Sequence, residues 1–361
     1  MGILMNEHFG QAAAEFRAGR DRQPTPVAAE PVRFEFFPAC DFADKPIPPR
    51  HWHVDDLVPG GTVTLLSGDG GTGKSLLAMQ LSVSTAMGGR WLGRDVAGGG
   101  AMYLSAEDDR DELHRRLSDI CASEGAGLAD LDRLTICPLA GEDALLASQD
   151  RATGALRPTA LFRDLDARLA SERPALLVAD TLADMFPGNE NDRTQARQFV
   201  GMLRGLAIRH ECAVLLLAHP SLSGLNTGSG TSGSTGWNNS VRSRLYLSRI
   251  VQEGYEADPD ARVLRTMKAN YGRTGGEISL RWQGGVFAEQ EPSTELDRVA
   301  GNAKAERVFI KLLRLLAEQG RRVNTGGGQT YAPTVFANHP EAEGVSKRAF
   351  RSLVSSFKCN G

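Results

Sequence analysis

The sequence predicts an α/β protein built on a mostly parallel sheet, and three observations carry that reading. Runs such as Leu176-Leu177-Val178-Ala179 and Ala213-Val214-Leu215-Leu216-Leu217 are apolar without interruption. A strand exposed on one face would alternate with polar residues, so these are strands covered on both faces. They are interleaved with helical segments, the order expected of right-handed strand–helix–strand crossovers. Finally, Gly68-Asp69-Gly70-Gly71-Thr72-Gly73-Lys74-Ser75 reads G-x-x-x-x-G-K-S between a strand-like run, Thr62–Ser67, and a helix-forming run, Leu76–Leu81. Strand, glycine loop and helix form the setting in which this motif is a phosphate-binding loop.

The chemistry of that loop follows from its residue types. Glycines let successive backbone N–H groups turn toward phosphate oxygens, and the helix N-terminus adds partial positive charge. Lys74 is the side chain expected to reach the β- and γ-phosphates, and the Ser75 hydroxyl is expected to ligate Mg²⁺.

Composition narrows the class. Of 361 residues, 41% are hydrophobic and 24% charged, as in ordinary globular chains. No apolar run approaches the ~20 residues of a membrane span, and Met1–Arg20 lacks the apolar segment of a secretory signal. The five cysteines, Cys40, Cys121, Cys137, Cys212 and Cys359, contain no C-x-x-C pair. Their scatter argues against a zinc site or a disulfide framework and for a reducing cytoplasm. Net charge is −3, yet Gly301–Gly361 holds ten Lys/Arg against four Glu, a +6 tail that leaves −9 for residues 1–300. Such a tail fits either a nucleic-acid contact or a solvated basic face.

Taken in order, residues 1–45 carry Pro24, Pro26 and Pro31 with little periodicity and read as a loosely ordered arm. Residues 46–290 read as the nucleotide-binding domain. After the loop and its helix, strands are expected at Ala101–Leu104, Leu134–Cys137, Ala175–Ala179 and Ala213–Leu217, with helices near Asp109–Ser123, Thr159–Ala170 and Thr194–His210. Ser221–Asn239 is rich in Gly, Ser, Thr and Asn, and long loops inside a domain are functional or disordered. Strands then follow at Ser240–Ile250 and Ala261–Met267, and a closing hairpin at Glu277–Trp282 and Val286–Ala288 around Gly284-Gly285. Residues 291–302 read as a polar linker. In 303–361, helices near Lys304–Gln319 and Ser346–Phe357 place Phe309, Leu312, Leu316 and Phe350, Leu353, Val354 at helical spacing.

Six further positions carry chemistry. Asp180 ends an apolar strand, the usual place for the carboxylate of a Mg²⁺ site beside a phosphate-binding loop; a turn-capping Asp is the bland alternative. Glu107 follows Tyr103-Leu104-Ser105-Ala106 and is positioned to activate the attacking water. Asp108 and Asp109 compete for that role or serve as helix-dipole partners. His219 ends another strand, where a polar side chain can sense the γ-phosphate. Arg242, Arg244 and Lys268 are cations on late strands, and a guanidinium delivered by a neighbouring subunit stabilises charge at a transferring phosphoryl group.

The chain resembles a known group. The order Gly68–Ser75, Tyr103-Leu104-Ser105-Ala106-Glu107-Asp108, Leu177-Val178-Ala179-Asp180-Thr181-Leu182 and Leu216-Leu217-Ala218-His219 is similar to RecA-like P-loop ATPases of the plasmid RepA hexameric helicase type, AAA family ATPases of phage, plasmid and genomic islands. The likeness continues through Gly233–Arg242 and Met267-Lys268-Ala269-Asn270-Tyr271-Gly272 and covers about residues 45–290. It implies a RecA-like fold that binds ATP and Mg²⁺. Glu107 becomes the catalytic base, Asp180 the Mg²⁺ carboxylate, His219 the γ-phosphate sensor, and Arg242 a finger acting in trans with Lys268 beside it. It also implies a homo-oligomeric ring, a hexamer, whose channel grips single-stranded DNA. Here the sequence departs from the pattern, because Ser221–Gly236 has no Lys or Arg, and a loop gripping phosphates favours cations. The tail resembles the helix-turn-helix or partial winged-helix segment of some relatives, with Ser346 capping a helix that bears Lys347, Arg348 and Arg351. A DNA motor and a nucleotide-switched DNA-binding or assembly factor are therefore both expected readings.

Overall fold

A computed structural model describes residues 35–219, 235–252, 255–256, 258–290, 295–326, 328, 330–345, 347, 349–351 and 353–354. Residues 1–34 of the predicted arm 1–45, and residues 220–234, which hold most of the predicted loop Ser221–Asn239, lie outside them. The chain divides into two units, Met1–Pro49 and Arg50–Gly361. In the first, the described residues form one 3-10 turn, Ala39–Phe42, with no buried side chain, and Phe37 meets Phe42 edge-on at 5.3 Å.

The second unit is organised by a nine-stranded sheet. Along the chain its strands are β1 (Val63–Gly68), β2 (Ala101–Ser105), β3 (Leu134–Pro138), β4 (Leu176–Asp180), β5 (Ala213–Ala218), β6 (Ser243–Arg249), β7 (Ala261–Ala269), β8 (Glu277–Gln283) and β9 (Val286–Glu289). Across the sheet they run β9-β8-β7-β6-β1-β5-β4-β2-β3. The six strands from β6 to β3 are mutually parallel, while β7, β8 and β9 close the other edge antiparallel. Helices α1 (Lys74–Met87), α2 (Arg110–Ser123), α3 (Ala160–Glu172), α4 (Leu182–Met185), α5 (Arg193–Arg209) and α6 (Thr235–Ser240) flank this mostly parallel sheet.

The uninterrupted apolar runs now have a cause. In β4 and β5, Leu176, Val178, Leu215 and Leu217 join one core cluster with Leu77 and Leu81 of α1 and Leu113 of α2. Their neighbours Leu177, Ala179, Val214 and Leu216 join a second cluster, with Phe162 of α3 and Phe199 and Leu203 of α5. Successive side chains point to opposite faces, and both faces are covered.

Three elements differ from the sequence expectation. Thr235–Asn239, expected as the end of the loop Ser221–Asn239, and Ser240, expected to open the next strand, instead form α6, and β6 begins only at Ser243. The reason is tertiary: Trp237 is buried and meets Phe186 at 5.1 Å and Phe199 at 6.3 Å, both edge-on. The predicted polar linker 291–302 is largely helix, because α7 runs Glu295–Glu318. A short helix, α8 (Ala332–Ala337), was not expected; Pro333 sits in its first turn, where its missing N–H costs nothing.

Helices α7 and α8 share a third cluster, in which Phe309, Phe336 and Phe350 meet at 4.9–6.1 Å. Of the predicted helix Ser346–Phe357, the described residues between 347 and 354 are helical, and Ser346 and 355–361 lie outside the description. Part of the basic tail is neutralised internally, since Arg307 pairs with Glu343 at 2.6 Å and Lys311 with Glu341 and Glu343 at 3.1 and 3.2 Å. Among the described residues no helix is long and apolar enough to cross a membrane.

Candidate active site

Four neighbouring parallel strands, β1, β5, β4 and β2, deliver predicted site residues at or just past their C-terminal ends: the glycine loop, His219, Asp180 and Glu107. This is the edge at which open α/β sheets bind ligands. β1 runs straight into the glycine loop, and Gly73 is the N-cap of α1 with φ +94, a conformation that disfavours any side chain. A Cβ there would also lie 2.4 Å from Cε2 of Phe287. Gly68 is needed for a different reason: its Cβ would meet the Leu247 carbonyl oxygen of β6 at 2.3 Å. Gly73→Ala should therefore lower stability by roughly 1–2 kcal/mol from backbone strain alone and weaken ATP binding. A variant that melts and binds ATP like the parent would contradict this account.

Lys74 opens α1 and is buried. Its Nζ donates to the carbonyls of Gly68 at 2.8 Å and Asp69 at 3.1 Å, and lies 3.4 Å from Nδ1 of His219. Burial lowers its pKa, opposed by the charges of Asp180, Glu107 and Asp69. The ammonium is thus held over the loop by the carbonyls that phosphate oxygens would replace as partners.

Asp180, at the end of β4, is fully buried. Tyr103 of β2 donates its hydroxyl to Asp180 Oδ2 at 2.6 Å and lies 3.2 Å from the Ser75 carbonyl. Oδ1 accepts no geometrically formed hydrogen bond, although the Ser75 hydroxyl is close enough to help hold the ionised form. Burial pushes the carboxyl up to about 6, with Tyr103 and Ser75 opposing the rise. Burial together with the Asp180 charge raises Tyr103 well above the usual phenol range. A buried carboxylate oxygen without a donor, beside a serine hydroxyl, fits Mg²⁺, which is typically held by one or two carboxylates and by substrate phosphates. When bound, the ion would neutralise phosphate charge there, with Ser75 and Asp180 as its protein contacts.

Glu107 and His219 meet in the same place. His219 follows β5, which lies between β1 and β4, so its ring stands between the loop and the end of β2. Its Nε2 is 3.4 Å from Glu107 Oε1, which connects Lys74, His219 and Glu107 in one polar chain. The rival acids are occupied. Asp108 pairs with Arg116, and Asp109 caps α2 by accepting from the Glu112 N–H at 2.8 Å. Glu107 is left as the exposed carboxylate facing the loop.

Arg242 and Lys268 are not brought to this cluster. Arg242 donates its N–H to the Val63 carbonyl at 3.2 Å, and Ser243 is in register with Thr64. Lys268 pairs with Arg244 across β6 and β7, and its Nζ donates to the Asn238 carbonyl at 2.6 Å. Arg242 therefore sits at the N-terminal edge of β1, about 17 Å along the strand from Gly68, while Lys268, two strands over and level with Leu65, lies about 10 Å along it. Burial lowers the pKa of Lys268, and Arg242, Arg244 and Arg204 lower it further.

A family model described as an AAA domain matches residues 28–224, more than half of the chain. The chain belongs to the AAA domain family. In the solved structures, a KaiC-like protein from the hyperthermophilic archaeon Pyrococcus horikoshii is similar, at 15% identity and a TM-score of 0.46, over 66% of this chain and 94% of that one. The AAA domain match includes the loop, Glu107, Asp180 and His219 and ends before Arg242 and Lys268.

Several residues that shape this AAA domain site escaped the sequence reading. Arg262 of β7 donates to the Thr72 carbonyl at 3.2 Å, Arg249 to the Gly71 carbonyl at 3.3 Å, and Tyr246 to Asp69 Oδ1 at 3.0 Å. They anchor the loop from β6 and β7. Tyr103 and Tyr246 left one signal, a polar tip inside otherwise apolar strands. The arginines left none, because surface arginines are common.

Proposed function

We propose that this AAA domain works as a homo-oligomeric ring, a hexamer, that hydrolyses ATP with Mg²⁺ at sites shared between subunits and acts on DNA, as a replicative helicase-like motor of a mobile element or phage. The observation that carries the shared site is the position of Arg242 and Lys268. Arg242 lies one strand length from the Lys74 of its own chain, and Lys268, two strands over, turns its Nζ to the Asn238 carbonyl instead of the loop. In the ring a neighbour packs against the edge that holds Arg242, where the Arg242 guanidinium stabilises charge on the neighbour's γ-phosphate while Glu107 of the receiving subunit activates water. Lys74→Ala subunits mixed with Arg242→Ala subunits should regain part of the activity that each lacks alone, since a mixed ring contains intact composite sites. No recovery at any ratio would place the whole site within one chain. Action on DNA is tested by ATP turnover with and without single-stranded DNA, and by unwinding of a forked duplex.

A second reading, a nucleotide-switched DNA-binding or assembly ATPase, is favoured by the absence of Lys and Arg from Ser221–Gly236. It expects duplex binding that weakens when residues 301–361 are deleted, with no unwinding.

A further inference from the structure

The glycine loop opens into a cavity of about 510 Å³ that extends well past the phosphate cluster, a size typical of ligand pockets. Its far wall is the β8–β9 hairpin and the turn before β7, with Trp282, Phe287, Gly285 and Pro259 on the lining. That wall is fixed. Gln80 of α1 donates to the Phe287 carbonyl and accepts from the Phe287 N–H, both at 2.9 Å, and the Trp282 N–H donates to the Asp260 carbonyl at 2.8 Å.

Along β8, Ile278, Leu280 and Trp282 alternate onto one face. The first two are buried in the core beneath α1 and α2. Trp282 continues the same face, opposite Phe287 in register, yet remains 45% exposed. It is thus an inward-facing aromatic that the protein leaves uncovered, at the open end of the phosphate pocket. Asp119 of α2 reaches the hairpin turn from the other side, for a Cβ at Gly285 would lie 2.4 Å from its Oδ2. A carboxylate there offers acceptors only.

We propose that Trp282 is the stacking platform for the nucleotide's base, and that Asp119 accepts from an exocyclic amine on its edge, which selects adenine. This inference rests on the proposal that the site binds ATP. A flat aromatic base would cover the exposed indole and complete the β8 face, while the loop and Lys74 hold the phosphates of the same molecule.

The test is calorimetric binding of ATP, ITP and inorganic tripolyphosphate, each with Mg²⁺, to the full chain. Tripolyphosphate reads the loop alone, and ITP retains the ring system but lacks the amine. Trp282→Ala should weaken ATP about tenfold, within the range that loss of one base–aromatic stack produces, and leave tripolyphosphate unchanged; Trp282→Phe should restore most of the loss. ITP should bind more weakly than ATP to the parent, and Asp119→Ala should erase that difference. Unaltered ATP affinity in Trp282→Ala, or equal loss of ATP and tripolyphosphate, would overturn the stacking role. Equal ATP and ITP binding by the parent would overturn that of Asp119. A parent that binds tripolyphosphate but ATP no more tightly defeats only the base site, whereas one that binds neither defeats the nucleotide reading itself.

Discussion

Lys74→Ala should reduce ATP hydrolysis by about 10²–10³-fold, the scale set by removing one preorganised charge-stabilising group from a transition state. The fold should survive the change. The ammonium is buried, and its pKa is lowered mainly by that burial. The sign of its linkage follows: a cation whose folded pKa is depressed costs stability at every pH where it must stay charged, and that cost fades only as pH rises toward the unfolded value of 10.5. Its two hydrogen bonds to loop carbonyls, at 2.8 and 3.1 Å, offset the cost. Removing charge and bonds together should therefore change the melting temperature without ATP only slightly. The melting temperature should also stop rising on addition of ATP and Mg²⁺, because the gain from a ligand scales with its affinity. Thermal melts with and without nucleotide, beside a phosphate-release assay, separate the outcomes. Loss of activity with a collapsed melting curve would mean that Lys74 holds the loop together rather than serving phosphate.

How much of this site could be read in the sequence depends on how local each signal is. The phosphate loop is contiguous, and its glycines answer constraints that are local, or nearly so, in the fold. Asp180 was readable because a doubly buried strand leaves polar residues only at its ends. Glu107 was readable for the same reason, one strand over. Sheet order was not readable. Nothing between Glu211 and Pro220 says that β5 inserts between β1 and β4, yet that insertion is what sets His219 3.4 Å from both Lys74 and Glu107. Arg242 depends still more on strand direction. An arginine opening a parallel strand beside β1 lies at the edge away from the loop, while in an antiparallel strand it would lie over the phosphates. Composition alone carries neither fact. The helix α6 and the loop anchors Tyr246 and Arg262 belong to the same class, because each is decided by partners more than thirty residues away.

Asp180→Asn should separate stability from function in opposite directions. Burial pushes the Asp180 carboxyl up to about 6 from the ordinary value of 3.8. A carboxyl whose folded pKa is raised favours folding while it is protonated, fully so below about pH 4. That contribution is lost as pH rises through 6. At pH 8 the nucleotide-free protein thus carries a buried charge that costs on the order of 3 kcal/mol. Asparagine removes the charge and can still accept from Tyr103, so the variant should be more stable than the parent at pH 8 by up to that amount and indistinguishable near pH 4. Urea unfolding across this range, without nucleotide, reads the difference. The same change removes the anionic oxygen offered to Mg²⁺, and ATP turnover should fall about 10²–10³-fold. With saturating ATP and Mg²⁺ the stability order should reverse, because only the parent recovers the cost of its charge by binding the cation. A variant that is inactive and also less stable at pH 8 would show that Asp180 serves the fold through Tyr103, and that its unpaired oxygen is not held in readiness for a metal.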